Sequence, residues 1–444
     1  SKLVMRVRFS LPAPNFLFFN CLVLIQHLQK LRIKKDRSSN SMKLFQLILF
    51  SHLLIVTGLA KVHGPICQWY KHPTNSMAIH WVEQSVENSE NKYELSYCIA
   101  NDGDWITAKI SNRLFGDTKS KVYSVDLKNL KADTKYAFKI SSGKKNLGKW
   151  FFKTAPIKIE NEITFVTGGD MYHTRELLDP MNLRAGTESP MFALLGGDLA
   201  YANGVDSNKW YDWIDSWTQL AKTPEGLLVP MVVVIGNHEV RGAAYRPNDA
   251  PPRSEAPYFY SLFYGLEQGS KFAIDFSNYM TIVALDSGHT DNVANQTQWL
   301  EKTLKDRSSF PFKFVCYHRP AWGTGVKEDA VDIQRLWSPI FEKHGVHAAF
   351  ENDHHVYKRT YPLVAGKRDD QKGVIYIGDG SWGVRTRKIA SDWKVKRPFL
   401  AYAESNNHLI KVKLKKEELV FEGIKADGII FDRYSKKIPS HSKE

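Results

Sequence analysis

Cysteine is scarce, at four in 444 residues. That excludes a disulfide-built scaffold and leaves ordinary packing to hold the chain together. Glycine (28) and proline (19) are too few for a collagen-like or low-complexity chain. With 43% hydrophobic, 12% aromatic and 24% charged residues, disorder is excluded as well. Acidic side chains are also short of parity, 47 Asp+Glu against 61 Lys+Arg, for a net charge of +14. Such an imbalance invites a nucleic-acid or membrane reading, but its distribution argues otherwise. Residues 1–60 hold nine of the basic residues against Asp36 alone, so +8 of the +14 lies there and +6 is left for 61–444.

Residues 1–60 read as leader. Within them, Met42-Lys43 precedes an apolar run, Leu44 to Val56, that ends in Gly58-Leu59-Ala60. A basic start, an apolar stretch and small residues at a cleavage point make 42–60 a secretory signal. The run is shorter than the ~20 residues of a membrane span, and Gln46, Ser51 and His52 interrupt it. Export, and no stable membrane span in the mature chain, are the expectations. The dense basic stretch, Lys30 to Arg37, lies in this leader. No basic stripe with interleaved aromatics occurs in 61–444, so a nucleic-acid partner is not expected.

Residues 61–157 read as all-β. Period-two alternation runs through Met77–Val82, Tyr93–Cys98, Lys121–Leu127, Tyr136–Ile140 and Trp150–Thr154, with turn signals such as Asn101-Asp102-Gly103 between them. The Trp81 strand, the Leu127-Leu130-Tyr136 corner and the closing Lys153-Thr154-Ala155-Pro156 resemble a fibronectin type III module. Cys67 and Cys98 fall in this segment, and after export their pairing is open. Asn295-Gln296-Thr297 is a glycosylation sequon, in keeping with export.

From residue 160 to 434 the pattern changes to short, almost wholly apolar runs separated by helical stretches, before a polar tail at 435–444. The runs are 163–167, 191–195, 231–235, 280–285, 312–317, 346–350 and 373–377. Strands buried on both faces look like this, so the domain is expected to be α/β with layered sheets. Their endings carry the chemistry: Gly169-Asp170, Gly197-Asp198 with Tyr201, Gly236-Asn237-His238-Glu239, His318-Arg319, and Asn352-Asp353-His354-His355. Ligands collect beyond the carboxyl ends of strands in such sheets. Carboxylate, imidazole, phenolate and amide oxygen together form a donor set for Fe, Mn or Zn.

With these residues in this order, the chain resembles the calcineurin-like metallophosphoesterases and, through Gly-Asp-x-x-Tyr at 197–201, the purple acid phosphatases. The resemblance spans nearly all of 61–434. It implies a fold of two mixed sheets flanked by helices, behind the fibronectin-like domain. It implies two metal ions, Fe(III) and a divalent Fe, Zn or Mn. Asp170, Tyr201 and His355 would serve the iron, Asp198 would bridge, and Asn237 and His318 would serve the second ion. His238 would be the proton donor to the leaving oxygen, with Glu239 behind it. The implied activity is hydrolysis of phosphate monoesters in the acid range, with hydroxide as the nucleophile.

One departure stands out. Where the family carries Gly-His-x-His-x-Tyr-x-Arg, this chain has Asn352-Asp353-His354-His355-Val356-Tyr357-Lys358-Arg359. Asp353 replaces the first His. Either Asp353 or His354 serves the second ion, or that site is impaired and the protein binds phosphate esters without turnover. Phosphodiester or pyrophosphate hydrolysis is the other alternative on these metals. The paired histidines of plant members are missing after His318, leaving Arg319 or Lys327 as candidate phosphate contacts.

Overall fold

The computed structural model describes residues 61–438 apart from 86–90, 102, 244, 247–248 and 268. The expected leader (1–60) and signal (42–60) lie outside the described residues, as does 439–444 of the expected tail. Eight strands come first: β1 (Lys61–Gln68), β2 (Met77–Gln84), β3 (Tyr93–Ile99), β4 (Ile106–Ala108), β5 (Ser111–Leu114), β6 (Lys121–Leu127), β7 (Lys135–Ser142) and β8 (Lys145–Lys153). They form two antiparallel layers, β1-β2-β6-β5 and β4-β3-β7-β8. The alternating apolar residues meet between the layers, where Trp81 stacks on Tyr123 with centroids 5.6 Å apart. Cys67 and Cys98 are separate buried thiols, with no disulfide between them.

The other face of β1-β2-β6 is not wet, although alternation alone would make it polar and solvated. Helix α2 (Ser207–Leu220) covers it, following helix α1 (Arg175–Thr187) in the chain. His63 stacks on Tyr211 at 4.5 Å and meets Asp215 Oδ2 at 3.0 Å. Buried His80 lies 3.0 Å from Ser124 Oγ and 2.8 Å from Gln68 Oε1. These pairings let polar side chains of the alternating pattern be buried without losing hydrogen bonds.

Strands β9 (Glu162–Gly168), β10 (Ala193–Leu195) and β11 (Met231–Val233) are parallel. One register pair, Gln68↔Met231, joins β11 to β1. The second sheet contains β12 (Phe272–Phe276), β13 (Met280–Ala284), β14 (Phe312–Cys316), β15 (Ala348–Glu351), β16 (Tyr357–Thr360), β19 (Ile375–Gly378) and β20 (Leu400–Glu404), in the order β12-β13-β14-β15-β19-β16-β20. A two-stranded ribbon, β17 (Leu363–Val364) with β18 (Lys367–Arg368), stands apart. The chain ends in the antiparallel meander β21 (Leu409–Lys415), β22 (Glu418–Ile424) and β23 (Ile430–Lys437), which pairs with β9 and completes a ten-stranded sheet. The polar tail expected from 435 therefore begins as strand: Lys436 and Lys437 pair with Leu419 and Glu418 on an edge that tolerates charge.

Phe165, Phe192, Phe276, Phe314 and Phe350 fill the space between the two sheets, with ring centroids 4.8–5.8 Å apart. Trp69 extends this core toward the first domain by packing on Phe192 and Phe276. Helix α3 (Val293–Lys305) covers the far side of the second sheet through Leu300 and Leu304. Asn295 of the sequon is exposed in its first turn. No helix among the described residues is long and apolar enough to cross a membrane. The architecture is the expected one, an N-terminal β domain followed by mixed sheets flanked by helices.

Candidate metal centre

The carboxyl ends of β9, β10 and β11 in one sheet, and of β14 and β15 in the other, deliver their loops to one place. Five residues there, Asp170, Asp198, Tyr201, Asp353 and His355, have φ between +53° and +75°. Non-glycine residues hold that left-handed conformation at a cost of about 1 kcal/mol or more each, and such strain gathers where a site needs it. Close approach is enforced from the sides as well. A Cβ on Gly196 would come within 2.0 Å of Asn352 Nδ2, and one on Gly380 within 1.8 Å of Asp170 Oδ2. Asn352, in the place of the family's glycine, uses the first of these gaps. Its backbone N–H donates to His318 O and its amide to Tyr317 O, tying two ligand loops together.

On the β9 side, Tyr201 Oη donates to Asp170 Oδ1 at 2.8 Å and lies 2.9 Å from His355 Nε2, which is itself 3.0 Å from Asp170 Oδ1. Asp170 Oδ2 accepts the backbone N–H of Asp353 at 2.7 Å. Burial, with Asp170 and Asp198 close by, pushes the Tyr201 phenol far above its ordinary range. It can ionise there only against a strong cation.

On the other side, His318 Nδ1 donates to Gly196 O at 2.9 Å, which turns Nε2 inward, 3.2 Å from Asp198 Oδ2 and 3.8 Å from Asp353 Oδ1. Asp198 Oδ2 and His318 Nε2 are both buried without a hydrogen-bond partner. Burial disfavours a charged His318, but Asp198, Asp170 and Asp353 outweigh it and push the imidazole up to about 10. Burial likewise works against a charged Asp353, but His318 and then Lys327 hold it down to about 2. Donor atoms of Asp170, Asp198, His318 and Asp353 all lie within 4.8 Å of one another. Three carboxylates and an imidazole, two of whose atoms are buried without a hydrogen-bond partner, fit a divalent cation.

Each expected residue can now be placed. Asn237 opens a one-turn helix (Asn237–Glu239) beside the cluster and is half-buried. The His238 ring stacks on Tyr201 at 4.1 Å, with Nδ1 bonded to Asn203 Oδ1 and Nε2 3.8 Å from Asp198 Oδ2. His354 stays outside the cluster: its Nδ1 lies 3.6 Å from Asp379 Oδ2, and its ring fills the space beside Gly323. Arg319 is engaged within the fold, donating to Ser287 O at 3.0 Å, pairing with Asp332 and lying over Tyr245. Lys327 is the cation that reaches the cluster, with Nζ 2.5 Å from Asp353 Oδ1.

Three contributors had no sequence signal of their own, or an incomplete one. Asn203, two residues after Tyr201, fixes His238. Glu239 accepts the backbone N–H groups of Asp198, Leu199 and Gly236 at 2.7–2.8 Å, so it holds the loop that carries Asp198. Burial and then Asp198 raise its carboxyl to about 8 despite those three donors. His173 sets its ring edge-on to Tyr201 at 4.7 Å, and its Nδ1 accepts the Arg385 N–H.

Two family models match consecutive stretches of the chain. Residues 63–155 match the family of the purple acid phosphatase N-terminal domain, and residues 156–357 match the calcineurin-like phosphoesterases. The chain belongs to the calcineurin-like metallophosphoesterases, of purple acid phosphatase type. Among curated relatives, it is 23% identical to the Fe(3+)-Zn(2+) purple acid phosphatase 12 of Arabidopsis thaliana, over 77% of this chain and 76% of that one. It is 25% identical to the phosphoenolpyruvate phosphatase of Allium cepa, over 67% of this chain and 65% of that one. In fold it is similar to the purple acid phosphatase PPD1 of yellow lupin, with a TM-score of 0.68 at 17% identity over 85% of this chain and 74% of that one. It is also similar in fold to PhoD, with a TM-score of 0.64 at 10% identity over 85% and 92% of the two chains.

Proposed function

We propose that the chain hydrolyses phosphate monoesters with two bound cations. Asp170, Tyr201 and His355 would hold a ferric ion, Asn237, His318 and Asp353 a divalent Fe, Zn or Mn, and Asp198 would lie between. The observation that carries this reading is the pair of orphaned buried atoms, Asp198 Oδ2 and His318 Nε2, inside a four-residue donor cluster. The buried phenol of Tyr201 favours iron on its side, and the Arabidopsis relative's printed metals point the same way. Such a pair of cations clamps a phosphate, offsets its charge and acidifies water.

The remaining steps belong to the chain. Asp198 and His318 are oriented through their backbone partners, Glu239 and Gly196 O. His238, fixed by Asn203 and by the Tyr201 ring, presents Nε2 toward the cluster and gives the leaving oxygen its proton. Export belongs to the same reading, and an N-terminus near Lys61 on secreted protein would support it.

A second reading, a silent phosphate-ester binder, has one observation behind it: Lys327 on Asp353, where the family carries a histidine. Metal content per chain, the visible spectrum and turnover of an aryl phosphate and a bis-aryl phosphate across pH separate the readings. Two metals, a tyrosinate–iron band lost in Tyr201→Phe, and acid-range monoester turnover are expected. One metal or none, with no turnover under any added divalent ion, would overturn the hydrolase in favour of the silent binder. Turnover confined to the diester would favour a phosphodiesterase.

A further inference from the structure

The replacement of an imidazole by Asp353 adds one negative charge to a site that already holds Asp170 and Asp198. Lys327 returns it. Its ammonium lies on Asp353 Oδ1, the oxygen that also faces His318 Nε2 at 3.8 Å, on a residue of the donor cluster. Lys327 has no other carboxylate partner among the described residues. We propose that Lys327 competes with the second cation for Asp353, so that this cation is weakly held and exchangeable.

The two partners differ in freedom. Asp353 is pinned through its backbone: its N–H donates to Asp170 Oδ2 at 2.7 Å, and its carbonyl accepts Arg387 Nη1 at 3.3 Å. Lys327 stands on a flexible four-carbon stem, with its side chain 37% exposed. A divalent ion that takes Asp353 Oδ1 therefore displaces the ammonium and leaves the carboxylate in place. The freed lysine remains at the open edge of the site, a cation where an anionic ester arrives. Two positive groups on one carboxylate oxygen repel each other, and more strongly in a buried, low-dielectric setting than in water. Each divalent ion bound therefore has to pay for the lysine's departure.

This inference rests on the two-cation reading, and the test keeps the two apart. Protein holding its first ion is titrated with Zn(II) by calorimetry, as wild type, Lys327→Gln and Lys327→Arg. Lys327→Gln should bind the second ion at least about tenfold more tightly than wild type, and Lys327→Arg about as wild type. Equal or weaker binding by Lys327→Gln overturns the competition but leaves the two-cation reading standing. No second ion in any of the three overturns both. A measurement on wild type alone guards against a misfolded variant: reductive methylation of Lys327, followed by mass spectrometry. It should proceed several-fold faster with saturating Zn(II) than without, and an unchanged rate overturns the proposal.

Discussion

On the Asp170 side of the centre, Tyr201 Oη, His355 Nε2 and Asp170 Oδ1 stand 2.8–3.0 Å apart and bond to one another. On the Asp198 side, His318 Nε2 and Asp198 Oδ2 are 3.2 Å apart without hydrogen-bond partners, and Asp353 bonds outward to Lys327. The first half satisfies its own polar atoms before any cation arrives. The second half does not, and a buried unsatisfied acceptor costs about 1–3 kcal/mol. Under the proposed reading, the first half would suit a phenolate-binding ion, whereas the second would attract a cation and, through the lysine, release it.

The hardest way to break this contrast is to remove the residue both halves share. Asp198→Ala takes away the carboxylate between them and the acceptor of the His238 N–H at 2.7 Å. Both metals should fall below stoichiometry, and kcat for an aryl phosphate should drop by about 10³-fold or more. If one metal stays fully bound with its spectrum intact, Asp198 serves only the second half.

A smaller effect is expected from Glu239→Gln. Its carboxyl oxygens accept three backbone N–H groups. A carboxamide offers one oxygen and turns an NH2 group toward the remaining donors. Stability should fall by about 1–3 kcal/mol, and affinity for the second ion by about 10–100-fold. The first-half spectrum, which depends on Tyr201 and Asp170, should be unchanged in thermal melts and metal titrations run side by side. A shift of that spectrum would show the halves to be coupled through loop 196–199.

One carboxylate on each side of the centre was legible in the chain because it follows an apolar strand and a small residue, as Gly169-Asp170 and Gly197-Asp198 do. Strand burial and ligand placement are both short-range patterns there. Asn237 shares that pattern through Gly236, whereas His318 and His355 stand out only as histidines in the loops that follow strands. Lys327 was legible only as a free cation, since it sits nine residues past His318 in a loop with no periodicity, and its pairing with Asp353 joins positions 26 apart. Asn203 was missed for the same reason. In the first domain the alternation of β2 and β6 gave the inner face correctly but implied a wet outer one. His63 is buried because Tyr211 of α2, more than 100 residues later, stacks on it, and His80 because the distant Tyr264 ring lies over it. Arg319 shows the converse: a cation next to a ligand looks like a phosphate contact until Asp332 and Tyr245 are seen to claim it.

The finest distinction concerns whether Asp353 impairs the second half or is matched to its lysine. Asp353→His restores a neutral imidazole donor but strands the Lys327 ammonium beside an incoming dication. If Asp353 and Lys327 are a matched pair, the single change should lower affinity for the second ion by about 3- to 10-fold, although it supplies the family's own ligand. Adding Lys327→Gln to it should recover the loss, because the imidazole then faces no competing charge. The cycle therefore has a sign: Lys327→Gln tightens binding in both backgrounds, and Asp353→His weakens it only while the lysine is present. A gain in affinity from Asp353→His alone, by Zn(II) titration of protein holding its first ion, would show that the aspartate is a defect the lysine merely neutralises. The difference between the two halves would then record a loss of function in the second, in place of an exchangeable site.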